Sequence, residues 1–283
     1  MTNAITGLDH AVIVVRDLDD AQAKFQKLGF TLTARGRHTG MGTANHCIML
    51  GNRNYFELLA VIEPNPTNAL FREKLTEREG LMAHAWQTKD ARAVGKAWAE
   101  AGLAPMAPIE FGRPVDTAEG RKDAKFCVVQ LAPDRLPGMM GFACQHFTPE
   151  VVWLPGTLDH PNGARTIVGV AAVAERPAEL AEIYGRALGK ARVKREADGL
   201  LVDSGTAPIR FVTPARFAAT HGGVRPDPRI KGTGLVGLAL AVASLDATKK
   251  LLDANGVPHV QGEHSVVVPP EHGCGAIIEF VQG

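Results

Sequence analysis

The sequence is poor in the features that announce most specialised classes. Four cysteines occur in 283 residues (Cys47, Cys127, Cys144 and Cys274), and no two of them form a CxxC pair. That spacing excludes a structural zinc ribbon and a disulfide scaffold. Aromatic residues make up 6% of the chain, and neither sign of charge is in excess, with 31 Lys and Arg against 30 Asp and Glu. A net charge of +1 leaves no basic face for phosphate contacts, so no nucleic-acid partner is expected. There is no block or tail of like charge either. The longest apolar runs, such as Leu235–Ala243, fall far short of the ~20 residues a spanning helix needs, so no membrane partner is expected. The opening MTNAITGLDH lacks the basic stretch followed by an apolar one that begins a secretory signal. The expectation is a cytoplasmic globular protein. At roughly 150 residues per domain, its length fits two domains or one internal duplication.

What the sequence does contain is repetition. An apolar, strand-like run, a helix-start signal and a short helix ending at glycine recur four times. The runs are LDHAVIVV, GLMAHAWQT, TIVGVAAVA and LVGLALAVA, and the closing glycines are Gly29, Gly102, Gly189 and Gly256. Asp19, Asp90 and Asp246 are suited to cap a helix start, and Pro177 suits a first helical turn. From start signal to glycine the distances are 10, 12, 12 and 10 residues. Glycine there supplies the left-handed conformation that ends a helix. Three short strand-like segments follow each glycine, so each copy reads strand, helix, strand, strand, strand. In the second copy GRPVDTAEGRKD reads as a polar loop inserted between strands. FTPEVVWLPGTLDHPNGA, with three prolines and two glycines, reads as the linker. The expected division is residues 1–150, a linker over 151–163, and a second domain over 164–283.

A βαβββ unit has an open sheet and cannot bury both its helix face and its sheet edge. Two units paired edge to edge form a curved half-barrel whose concave face is a natural pocket. The expected fold is therefore α+β, with four βαβββ modules in two half-barrel domains.

This unit is the hallmark of the vicinal oxygen chelate superfamily, and the sequence resembles it along its whole length. The likeness is carried by LDHAVIVVRDLDDAQAKFQKLGF, by RGRHTGMGTANHCIMLGNRNYFELLAV and by CQHFTPEVVWLPGTLDHPNGA, in that order. Together they resemble the two-domain glyoxalase-like proteins. That resemblance implies a divalent metal ion (Zn, Fe, Mn, Ni or Mg) binding adjacent oxygens of a small-molecule substrate.

His10, on the first strand, stands where the resemblance implies a metal ligand. Glu57 lies inside the apolar strand YFELLAV, where a carboxylate costs several kcal/mol unless it is paired or metal-bound. The resemblance places the ligand carboxylate on this last strand, and Glu57 could double as the proton-transfer base. Ala83 holds the place matching His10 in the second unit, which leaves the third donor open between His146 and Glu279. His84, beside Ala83, is expected to point to the opposite face. Gly237 holds the His10-like place in the fourth unit. Val168 and Phe211 are apolar at both key places of the third, so the C-terminal half is expected to be structural.

For substrate contacts, His38 and Asn45 are raised by the resemblance, and Arg37 suits a substrate carboxylate. Asn45 and Cys47 share a strand face, with His46 on the other. His160 and Asn162 sit in LDHPNGA, a turn on local grounds; the functional reading folds the linker over the pocket mouth with Trp153 as a wall. GTGLVGL precedes a strand, so it is not a dinucleotide loop.

Three functions follow from the resemblance. The first is a metal-dependent glyoxalase-like lyase or isomerase. The second is an extradiol-type dioxygenase using His10, His146 and Glu57 around Fe(II). The third is a metal-free small-molecule binding or resistance protein, which Ala83 and the apolar third unit favour. A homodimer is compatible with all three.

Overall fold

The computed structural model describes residues 4–283. Its first half runs β1 (Ile5–Val14), α1 (Leu18–Lys27), β2 (Gly36–His38), β3 (Thr43–Met49), β4 (Tyr55–Val61), α2 (Ala69–Glu77), β5 (Gly80–Thr88), α3 (Ala91–Glu100), β6 (Ile109–Thr117), β7 (Gly120–Gln130) and β8 (Met140–His146). The second half runs β9 (Ala164–Ala174), α4 (Ala181–Leu188), β10 (Val193–Glu196), β11 (Gly199–Val202), β12 (Ile209–Val212), α5 (Pro214–Thr220), β13 (Thr233–Val242), α6 (Leu245–Ala254), β14 (Val260–Gln261), β15 (Ser265–Val268) and β16 (Ile277–Gln282). The strands form two eight-stranded sheets, ordered β2-β3-β4-β1-β5-β8-β7-β6 and β10-β11-β12-β9-β13-β16-β15-β14.

In each sheet the two units join antiparallel through their first strands, β1 with β5 and β9 with β13, while first and last strands of a unit pair in parallel. Units one and two therefore share a hollow. Glu279 lies in the other sheet, which corrects the reading that would have it complete the site of His10 and Glu57.

The helices form where the sequence places them, with two caps reassigned. Asp17 rather than Asp19 caps α1, accepting from the amides of Asp19 and Asp20. Ser244 rather than Asp246 caps α6. Asp90 caps α3. Gly29 ends α1's turn at φ +82, where a Cβ would stand 2.8 Å from Leu251 and 3.0 Å from Asn162. The second half of the molecule packs against that point.

The helix-bearing faces of the two sheets share one continuous core that includes Phe25, Trp86, Trp98, Tyr184, Phe211 and Phe280. Trp98 donates its indole N–H to the Ala187 carbonyl at 3.0 Å, across the two halves. His84 is in this core, edge-on to Trp86 at 4.5 Å between centroids. Burial pushes its pKa down to about 3, so the ring is neutral.

Two features depart from the sequence reading. First, α2 and α5 follow the last strands of units one and three and pack into the concave faces. Leu70, Phe71 and Leu75 of α2 cover Val12, Val14 and Leu59. Second, GRPVDTAEGRKD is not a loop. It forms most of the β6–β7 hairpin, paired from Ile109↔Val128 to Thr117↔Gly120. Its polar residues had hidden an alternation in which Phe111, Arg113 and Val115 share one face.

Each first strand also carries a one-residue bulge at a matching place, at Asp9, Met82, Val168 and Val236, and β1 and β9 carry a second, at Thr6 and Arg165. A bulge sets two consecutive residues opposite one partner and turns both toward one side. The residues after the bulges, His10, Ala83, Gly169 and Gly237, are thus equivalent. Two residues further on, Val12, Ala85, Ala171 and Ala239 pair with Glu57, Phe142, Arg210 and Glu279. The third unit's key places are therefore Gly169 and Arg210, not Val168 and Phe211; Phe211 is core.

Candidate functional site

The first sheet curls until its edge strands nearly meet: the Thr39 amide, just after β2, donates to the Gly112 carbonyl of β6 at 2.9 Å. One end of the resulting barrel is filled by Val151 and Val152, against which Trp153 packs, and the other by α2. Between them lies a cavity of about 480 Å³. Its walls are largely apolar, from Val12, Leu59, Phe111, Phe126 and Phe142, and carry a polar island of His10, His38, Asn45, Glu57 and Arg113.

The bulge in β1 shapes one side of that island. Asp9 and His10 both face inward, and His10 Nδ1 lies 2.6 Å from Asp9 Oδ1. The same oxygen is 3.0 Å from Nε2 of His146, at the end of β8. Asp9 is wholly buried, which alone would raise its pKa, but the two histidines outweigh this and hold it at about 2. The result is a relay of ring, carboxylate and ring. His10 stacks on Tyr55 at 4.5 Å, and Trp153 lies 5.1 Å from the His146 ring. With Nδ1 committed to Asp9, Nε2 is the nitrogen His10 offers to the cavity.

On the facing side, Asn45 Nδ2 donates to Glu57 Oε1 at 2.6 Å. His38 Nε2 stands 3.7 Å from the same oxygen, and its Nδ1 is 2.9 Å from Thr43 Oγ1. Burial, outweighing the attraction of Glu57, lowers the His38 pKa and keeps that ring neutral.

The structure thus brings His10, His38, Asn45 and Glu57 to one cavity. His146 joins them only through Asp9. The other expected contacts are elsewhere. Arg37 is exposed and points out of the barrel. His160 accepts from the Thr31 amide at 3.1 Å and donates to the Met49 carbonyl at 2.8 Å. Asn162 donates to the Leu28 carbonyl and accepts from the Ala164 amide. These two side chains tie the linker to the backbone around it and neither lines the cavity, which corrects their assignment as substrate contacts. Trp153, from the same linker, does reach the hollow's end.

Sequence reasoning missed Asp9 and Arg113. Strict alternation puts Asp9 on the wrong face, and only the bulge reverses that. Arg113 was legible in IEFGRPVDT, where it alternates with Phe111 and Val115.

Whether a metal ion fits depends on the donors. The four equivalent inward places of this barrel hold His10, Glu57, Ala83 and Phe142, so two are donors and two are apolar. His10 is oriented by a carboxylate, as metal-binding histidines commonly are. Among the described residues one compact donor group occurs: Asp9, Cys144 and His146, within 4.8 Å of one another. Within it, His146 Nε2 is hydrogen-bonded to Asp9 Oδ1 at 3.0 Å, and the same oxygen is 2.6 Å from His10 outside the group. Donors around a tetrahedral ion would stand roughly 3.3–3.7 Å apart. His10 and Glu57 are the two donors among the equivalent places that line the cavity and would hold an ion there, with its remaining positions left to substrate oxygens and water.

The second hollow, about 670 Å³, is more open. Its key places carry Gly169, Gly237, Arg210 and Glu279. Arg210 is paired with Glu196. Glu279 accepts from Ser265 at 2.6 Å and lies 3.5 Å from His221. No histidine stands at an equivalent of His10.

Among the described residues no helix is long and apolar enough to cross a membrane. The sequence profile of the glyoxalase-like domain matches residues 8–188. No curated protein matches the sequence. Among solved structures, a hypothetical protein from Staphylococcus aureus superposes with a TM-score of 0.69 at 14% identity, over 98% of this chain and 99% of that one. A xylose isomerase-like TIM barrel/4-hydroxyphenylpyruvate dioxygenase fusion protein gives 0.63 at 14% identity, over 99% of this chain and 49% of that one. A mutant of 4-hydroxymandelate synthase from Streptomyces coelicolor gives 0.60 at 15% identity, over 99% and 93%. At these identities the likeness is one of fold.

Proposed function

The chain belongs to the glyoxalase-like family of the vicinal oxygen chelate superfamily, and from that premise we propose that its N-terminal barrel is the active site of a metal-dependent enzyme. The reaction moves a proton on a small molecule that carries adjacent oxygens. The observation that supports this reading is that His10 and Glu57 line one cavity, each fixed from behind by a dedicated partner.

Asp9 holds the His10 ring so that Nε2 keeps its lone pair toward the cavity. Glu57 has one oxygen tied to Asn45, which leaves the other to serve the ion and, once released from it, to take a proton from carbon and return it. The Asn45 amide steadies the carboxylate while it is ionised. Neutral His38 backs that amide without adding charge. The apolar walls exclude water and strengthen each of these contacts. A divalent ion on His10 and Glu57 would supply Lewis-acid stabilisation of developing oxygen charge.

Metal analysis tests the reading. The purified protein should carry one divalent ion per chain, lost in both His10→Ala and Glu57→Gln. Equal metal content in wild type and both variants would overturn it. An extradiol dioxygenase is less well supported, because its second histidine, His146, reaches His10 only through Asp9. The apolar pair Ala83 and Phe142 favours one other reading, a binding protein without metal. A ligand-induced melting shift that survives chelator would support that one.

A further inference from the structure

Arg113 is 6% exposed and lines the cavity. Among the described residues it has no hydrogen bond and no ion pair, although Glu57 and His38 line the same cavity. Its guanidinium presents five N–H donors in a planar fork, and none of its nitrogens is sealed from the cavity, so the fork is open to a partner there. Every other arginine or histidine in the barrel's polar island has a named partner. The neighbouring backbone is shaped around this side chain. Gly36 of β2 has no Cβ, and one added there would stand 3.0 Å from Arg113 Cδ and 2.5 Å from Asn45 Oδ1. The arginine thus crosses the seam where β2 and β6 close the barrel, with its head on the cavity side.

We infer that Arg113 is the anchor for a carboxylate on the molecule that occupies this cavity. The ligand is then an anion whose apolar body lies against Phe111, Phe126 and Phe142. A planar carboxylate matches the fork bidentately, and an apolar cavity of this size holds one drug-sized molecule. The carboxylate supplies the charge that Arg113 lacks and sets the rest of the ligand toward His10 and Glu57. This inference rests on the reading that the cavity takes a small molecule, but not on the metal or on proton transfer.

Titration calorimetry with 3-phenylpropionate and its uncharged amide, 3-phenylpropanamide, tests it on the protein as purified. Wild type should prefer the acid by roughly 10- to 100-fold, the worth of a charge-assisted pair. Arg113→Met should abolish that preference, Arg113→Lys should keep only part of it, and exposed Arg37→Met should leave it intact. Equal affinity of wild type for the two probes, absence of binding by either at millimolar concentration, or a preference that persists in Arg113→Met would each overturn the assignment. Should Arg113→Met fail to fold, undiminished preference in Arg113→Lys refutes it instead. A preference intact in Glu57→Gln, with metal content also unchanged there, would leave the anchor standing and remove the enzymatic reading.

Discussion

His84 offers the cleanest quantitative test of how this core is built. The side chain is fully buried, and neither ring nitrogen has a hydrogen-bond partner. Desolvation holds its pKa at about 3 in the folded chain against 6.5 in the open one. A depressed folded value means that stability is fully present above 6.5 and is lost as pH falls toward 3. Each pH unit across that window removes about 1.4 kcal/mol, so the wild type loses about 2 kcal/mol from this ring between pH 7 and pH 5. Replacing it by leucine, of similar volume, removes the titration. At pH 7 the variant should be as stable as wild type or about 1 kcal/mol more so, because two unpartnered nitrogens disappear at a repacking cost below ~1.5 kcal/mol. Urea unfolding at both pH values is the assay. His38 and His160, whose pKa values burial also lowers, act in the same direction but are common to both proteins. The gap between wild type and His84→Leu should therefore widen by about 2 kcal/mol on acidification. A gap that stays constant would mean that water reaches the ring and that the desolvation argument fails.

Two further changes probe the site. Asp9→Asn removes the carboxylate that joins two buried rings and should cost about 3 kcal/mol at pH 7, the usual result of breaking a buried pair. The loss should shrink as pH falls from 3.8 through 2, where wild-type Asp9 itself becomes protonated. Nitrogen NMR should show His10 shifting from the Nδ1–H form to a mixture of tautomers, a readout that a purely structural role would not move. Gly36→Ala places a methyl 2.5 Å from Asn45 Oδ1 and 3.0 Å from Arg113 Cδ. It should cost about 1–3 kcal/mol through overpacking and weaken 3-phenylpropionate binding in parallel with Arg113→Met, as calorimetry would show; unchanged affinity would mean the seam yields without moving Arg113.

The repeat was legible because four units each had to bury one helix face and one sheet edge, and those demands write apolar periodicity and a terminal glycine into every copy. The site was legible only in part. Glu57 stands out because a carboxylate in YFELLAV is costly, and His10 because the family resemblance implies a metal ligand at its place on the first strand. The relay behind His10 was not, because it depends on a bulge, and a single extra residue reverses which face every earlier side chain meets. Arg37 was named for its bidentate fork, and Arg113 was passed over because the β6–β7 hairpin looked like a loop, its outward residues being charged. His160 and Asn162 are hydrogen-bonding residues, as expected of a turn, but all their partners are backbone groups, and all save the Ala164 amide are far away in sequence.

The four bulges show how one scaffold yields a single reactive centre. Asp9, Met82, Val168 and Val236 occupy the same position, and so do His10, Ala83, Gly169 and Gly237. Only the first pair is ionisable. Placing a carboxylate beside an imidazole at the bulge fixes the ring without any contribution from a third strand, so the first unit can orient its own histidine. The second unit is then free to supply apolar wall at Ala83 and Phe142, together with the arginine on β6. In the second sheet the corresponding bulge residues are valines followed by glycines, while the opposing places hold Arg210 and Glu279, already satisfied by Glu196 and by Ser265 and His221. An arginine neutralised within its own sheet has no charge left to attract an anion, whereas Arg113 has no such partner. The contrast between those two arginines, more than the size of either hollow, is what separates the barrel that can select a ligand by charge from the one that cannot.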